Sequence, residues 1–103
     1  MIRHCVFVKY RAGVTRAERD AIYASLELLI SKIPGMLSVE FGPNVSPEGL
    51  GKGFDEGFFV EFNDAKARDA YLVDPDHQAI GARIVVLADG GVDGILVFDL
   101  DIG

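Results

Sequence analysis

The sequence predicts an α+β domain, and three observations carry that reading. Short runs rich in β-branched and aromatic residues alternate with segments of helical periodicity. Their order along the chain is β-α-β-β-α-α-β. The strand runs are apolar on both sides, as in a sheet covered on both faces.

Residues 2–10, from Ile2 to Tyr10, make the first strand. Ala12-Gly13 breaks it. Thr15 and Glu18 then have capping-box spacing, in which each side chain satisfies a free N–H of the first turn. Ile22, Leu26, Leu29, Ile30 and Ile33 follow at helical spacing, which predicts a helix over 16–33 ended by Pro34-Gly35. A second strand covers 36–42, with Leu37, Val39 and Phe41 on one face and Ser38 and Glu40 on the other. Residues 43–53 hold two prolines and three glycines, which predicts a long mobile loop. The third strand spans 54–62. Asn63 is the expected cap of a helix reaching about Leu72. Asp74-Pro75 starts another, with Asp74 as cap and Pro75 at the first helical position. Ile80, Ile84 and Leu87 line one side of it, and Gly90-Gly91 ends it. Residues 95–100 form the last strand.

With the split helix counted once, this is the ferredoxin-like β-α-β-β-α-β plan, a four-stranded antiparallel sheet in one domain over residues 1–103. His4, Val6 and Val8 point one way while Cys5 and Phe7 point the other. Phe58 and Val60 oppose Phe59, and Ile95 and Val97 oppose Leu96 and Phe98. The helices cover one face only. The other is expected to meet the sheet of a second copy, giving a homodimer through sheet faces and a dimeric α+β barrel. Half of the residues are apolar, and the mean hydropathy of +0.25 is high for so small a chain.

Composition also excludes partners. The net charge is −6, from sixteen acids and ten bases, with no cluster of Lys or Arg. Nucleic acid and anionic membrane surfaces need such clusters, so neither is expected. No apolar run reaches a membrane-spanning length, and the N-terminus has no signal-peptide pattern. Cys5, the single cysteine, is read as buried and reduced in a cytoplasmic protein. No metal and no cofactor are expected. Asp99 and Asp101 alternate on a strand without further ligands, and the glycines at 49, 51 and 53 match no phosphate loop.

Four stretches resemble a known family over nearly the whole chain. They are Ile2-Arg3-His4-Cys5-Val6-Phe7-Val8-Lys9, Ile33-Pro34-Gly35-Met36, Ala70-Tyr71-Leu72-Val73-Asp74-Pro75-Asp76-His77 and Val97-Phe98-Asp99. The family is the stress-responsive A/B-barrel (Dabb) domain, and the resemblance implies a dimeric α+β barrel. One plant member, a polyketide cyclase, closes a linear polyketide by an intramolecular aldol step with a tyrosine and a histidine. The resemblance puts that pair at Tyr71 and His77, and a pocket histidine at His4. The chain departs from the cyclase at Glu56, where the cyclase has histidine, and at Leu26, where it has tyrosine.

Elementary physics gives the pair its own sense. In the first turn of a helix, His77 feels the positive end of the dipole and tends to stay neutral, as a general base must. Tyr71 can donate a hydrogen bond to a carbonyl or enolate oxygen. His4, Val6 and Val8 share a face and can line the same cavity, with Phe58 and Val60 as its apolar wall and Glu56 at its mouth. The structural alternative is a core tyrosine, a first-turn histidine bonding nearby backbone, a core histidine, and a glutamate that solvates a strand end.

Two functions therefore remain open. One is a small-molecule enzyme with cyclase-like, lyase-like or isomerase-like chemistry on an apolar, polyketide-like carbonyl compound. The other is a non-catalytic binding module or stress-response protein. A haem or quinol monooxygenase shares the barrel plan, but the chain has no Trp to shield a haem.

Overall fold

A computed structural model describes residues 1–103. Its elements are β1 (Ile2–Val8), α1 (Arg16–Glu27), β2 (Met36–Pro43), β3 (Glu56–Phe62), α2 (Ala65–Val73), α3 (Pro75–Leu87) and β4 (Ile95–Asp101), with a short 3₁₀ turn at Gly91–Gly94. The sheet order is β2-β3-β1-β4, antiparallel throughout, as the ferredoxin-like plan requires. No helix is long and apolar enough to cross a membrane.

The register sorts the side chains into two faces. His4 lies opposite Val60 on one side and Asp99 on the other, so all three point to the helices. Ile2, Val6, Val8, Phe58 and Phe62 share that face and pack against Ile22, Tyr23 and Leu26 of α1, Tyr71 of α2, and Ile80 and Ile84 of α3. The opposite face carries Cys5, Phe7, Phe59, Leu96, Phe98 and Leu100, with no element of the chain across it. Phe98 and Leu96 are about half exposed there. This is the two-sided apolar sheet that the strand pattern predicts.

Several boundaries differ from expectation for physical reasons. β1 stops at Val8, and Tyr10 makes only an isolated bridge to Ala88. α1 ends at Glu27 rather than 33. Beyond it the chain tightens into i→i+3 turns, with Leu29 N–H bonding Leu26 O at 3.0 Å and Lys32 N–H bonding Leu29 O at 3.0 Å. A three-residue pitch keeps Leu26 and Leu29 on the core side, while Leu28 is 75% exposed. In β2 a bulge between Met36 and Ser38 reverses the alternation, so Leu37 leaves the face of Val39 and Phe41, and Met36 is buried instead. β3 begins at Glu56 rather than 54. α2 is capped by Asp64, not Asn63: the Asp64 carboxylate accepts from Ala67 N–H at 2.9 Å. The loop before β3 is closed at its base by Asn44 N–H on Asp55 O at 2.8 Å and Phe54 N–H on Gly51 O at 2.9 Å. The capping box of Thr15 and Glu18, and the Asp74 cap with Pro75 behind it, form as expected.

Gly35 sets the approach of β2 to α2. Its φ is +87°, and a Cβ there would sit 2.7 Å from the Ala67 Cβ. Gly35→Ala combines backbone strain with a clash against the first turn of α2. It is expected to cost more than about 1 kcal/mol of stability, measured by urea denaturation.

Candidate functional site

The junction between α2 and α3 places the site. Asp74 is extended and cannot continue α2, and Pro75 gives up no needed N–H as the first residue of α3. The Asp74 carboxylate accepts from the N–H groups of Asp76 at 2.9 Å and His77 at 3.2 Å. Lys32 bridges Asp74 at 3.0 Å and Asp76 at 2.5 Å. The Lys32 ammonium and these N–H groups hold the Asp74 carboxyl below the usual carboxylate range. The turn thus packs His77 against Tyr71, the rings tilted by 33° with centroids 3.8 Å apart. Tyr71 also packs on Phe62 at 5.1 Å and meets His4 edge-on at 5.7 Å.

These rings border a cavity of about 190 Å³ between the helices and the sheet. Of the anticipated residues, His4, Val6, Phe58, Tyr71 and His77 line it, joined by Leu72, Gly81, Ile84, Ile95 and Val97. None of them carries a full charge except through histidine protonation. Tyr71 is 1% exposed, and burial pushes its hydroxyl pKa well up, so it is a neutral hydrogen-bond donor at any ordinary pH. Burial, then the charge of a protonated His4, pushes the His77 pKa down. Its Nδ1 is buried with no hydrogen-bond partner.

His4 is 5% exposed and bonds through Nδ1 to Asp99 Oδ1 at 2.6 Å. Arg68 from α2 donates to the other oxygen, Oδ2, at 2.7 Å. Burial opposes ionisation of Asp99, but the bonds from Arg68 and His4 outweigh it and hold the pKa down. Sequence reasoning considered Asp99 only as a cation ligand and missed Arg68. The usable signal was the parity of β1 and β4, which puts His4 and Asp99 on one face once the register is known. No group of three or more His, Cys, Asp or Glu side chains is placed to hold a metal ion.

The remaining anticipated residues lie elsewhere. Val8 and Val60 share the helix-side face but sit in solid core outside the cavity lining. Glu56 is not at this cavity's mouth and does not solvate a strand end. It is buried, accepting from Arg16 at 2.8 Å and Arg19 at 2.7 Å beside the bonded Tyr10 and Tyr23 hydroxyls. Burial opposes its ionisation, yet the two guanidinium groups outweigh that and lower its pKa. Leu26 is wholly buried in the core. A second, larger space of about 750 Å³ lies under the loop before β3, reaching the open face of the sheet and also bordered by Glu56 and Phe58. Phe7, Phe41, Leu50, Phe54, Phe59 and Leu96 border it, and it holds no histidine or tyrosine.

Fold and site together define a ferredoxin-like α+β protein with a tyrosine and two histidines gathered under its helices. The chain belongs to the stress responsive A/B barrel domain (Dabb) family, which matches residues 2–102. It is 22% identical over 80 residues to olivetolic acid cyclase of Cannabis sativa, covering 78% of this chain and 79% of the cyclase. It is 33% identical to a dimeric ferredoxin-like protein of unknown function from Jannaschia sp. CCS1, with a TM-score of 0.90 and 98% of each chain covered. The hydroxynitrile lyase of Passiflora edulis shares the fold, with 20% identity, a TM-score of 0.83 and coverage of 99% and 93%.

The depressed pKa of His77 has a consequence for stability. The unfolded chain binds a proton near pH 6.5, before the folded chain does. Stability is therefore expected to fall as pH drops below about 6.5, until the folded pKa is passed. The lowered carboxyls of Glu56, Asp74 and Asp99 add a separate loss only at lower pH. His77→Gln should flatten the first limb and leave the second, in urea melts between pH 4 and 8.

Proposed function

We propose that the chain works as a homodimer joined through its open sheet faces. We further propose that the helix-side cavity binds a small uncharged carbonyl compound and moves a proton next to the carbonyl. The observation that carries the second part is a nearly apolar cavity lined by a neutral tyrosine and two histidines, with no side chain of fixed charge. Buried polar groups normally find partners, so a ligand with an acceptor and a weakly acidic C–H is the natural complement.

The volume narrows the ligand. A cavity of 150 Å³ accepts benzene, so 190 Å³ suits a compound of about seven or eight non-hydrogen atoms. That is shorter than a long polyketide. The resemblance to olivetolic acid cyclase supplies the reaction type, a proton removed next to a carbonyl, while Glu56 and Leu26 mark where the two sites part. Dimerisation is supported by the exposed apolar face and by the dimeric Jannaschia relative.

The binding-module reading rests on the same cavity without turnover. It is favoured by the deep burial of Tyr71 in the core, the ordinary place of a structural tyrosine. One assay separates the two. Cyclohexanone fits the cavity, and exchange of its α-hydrogens in D₂O reports proton removal directly. The enzyme reading predicts acceleration by the protein, and Tyr71→Phe should slow it by about a hundredfold with less than tenfold change in binding. Binding without any acceleration favours the carrier. For the assembly, wild type should sediment at twice the 11.2 kDa chain mass, and Phe98→Asp should sediment as a monomer.

A further inference from the structure

We infer that His4, rather than His77, is the base of this site, and that Asp99, braced by Arg68, sets His4 up for the task. This rests on the reading that the cavity moves a proton next to a carbonyl.

The tautomer follows from the contacts. An ionised carboxylate only accepts hydrogen bonds, so the 2.6 Å contact to Asp99 Oδ1 requires a proton on His4 Nδ1. In the neutral ring Nε2 then carries the lone pair, and the only side-chain hydrogen bond of His4 is the one through Nδ1. His4 lines the cavity from β1, a strand paired on both sides, so its position is fixed by two ladders. Arg68 holds the second Asp99 oxygen at 2.7 Å, which fixes the carboxylate as well. A carboxylate that orients an imidazole and faces the cation it becomes is the arrangement that makes histidine an effective base.

His77 lacks that arrangement. The carboxylates beside it, Asp74 at the cap and Asp76 in the first turn, bond backbone N–H groups and Lys32 and not the His77 ring. Burial disfavours a charge on His77, and the backbone of Leu72 and Tyr71 and the Asp74 carboxylate offset only part of that. A charge there would also oppose the one that His4 acquires as it takes a proton across Tyr71. The roles therefore divide. His4 Nε2 takes the α-proton as the C–H bond breaks, and its electron pair becomes the enolate. The Tyr71 O–H donates a hydrogen bond to the enolate oxygen. His77 stays neutral, packed against Tyr71 at 3.8 Å, and holds that ring in place. Return of the proton, or of a deuteron from solvent, to carbon restores the ketone and His4.

The test uses cyclohexanone in D₂O with the full chain. Asp99→Asn and His4→Gln should each lower α-exchange by about a hundredfold or more, with cyclohexanone binding changed less than threefold. His77→Gln, which removes the ring packed on Tyr71, should lower the rate clearly less than either. Full-rate exchange in Asp99→Asn and His4→Gln, with loss in His77→Gln, overturns the inference and leaves the proton-transfer reading intact. No acceleration by wild type ends both. Because a variant can fail to fold, ¹⁵N NMR of wild type supplies a second readout. At pH 8 His4 should carry its proton on Nδ1, and a proton on Nε2 overturns the assignment.

Discussion

A sheet that is apolar on both faces, with helices on only one, is the constraint on which the rest depends. β1 and β3 sit in its middle and supply Val6, Val8, Phe58, Val60 and Phe62 to a core closed by α1 and α3. The same strands leave Phe7 and Phe59 on the other side, beside Leu96 and Phe98 of β4. Burying that much apolar area stabilises the chain by about 25 cal/mol for each Å² removed from water. An uncovered aromatic face of this kind marks an interface. The proposed pairing of two copies is the answer that uses one surface twice.

Within that frame, the site is what remains where packing is incomplete. α2 and α3 are separated by a single extended residue, Asp74, and the break between them leaves room over β1 and β4. Gly81 lines that room, and a Cβ there would meet nothing within 4 Å. A glycine inside a helix costs about 1 kcal/mol against alanine, and no close contact or unusual φ requires one here. The chain keeps open space beside His4, Tyr71 and His77 at that cost. The buried polar groups divide in the same way. The carboxylates are answered, Glu56 by Arg16 and Arg19 and Asp99 by Arg68 and His4, whereas two buried nitrogens, His77 Nδ1 and Arg19 Nε, have no partner.

Much of the fold was legible because strand parity and helix caps are local signals. The two-sided character of β1, β3 and β4 could be read directly from residues such as His4, Cys5 and Val6. Thr15, Glu18, Asp74 and Pro75 marked their helix ends correctly. The misses came from effects that periodicity cannot see. The run from Leu28 to Ile33 keeps apolar spacing while its hydrogen bonds shorten to three residues, so the helix looked longer than it is. One extra residue at Leu37 reversed a face of β2. In the site, His4, Tyr71 and His77 could be named together because a resemblance linked them. Glu56 was misplaced because its partners, Arg16 and Arg19, are some forty residues away in sequence. Asp99 was undervalued because its meaning depends on the β1–β4 register, which no local pattern fixes.

The central claim is that the helix-side cavity, and not the open sheet face, takes a small carbonyl compound. The most direct measurement is a methyl NMR titration with cyclohexanone. The account predicts saturable shifts at Val6, Ile84, Ile95 and Val97, which border that cavity, and none at Leu50 and Leu96. Shifts confined to Leu50 and Leu96 would contradict it and move the ligand to the other side of the sheet.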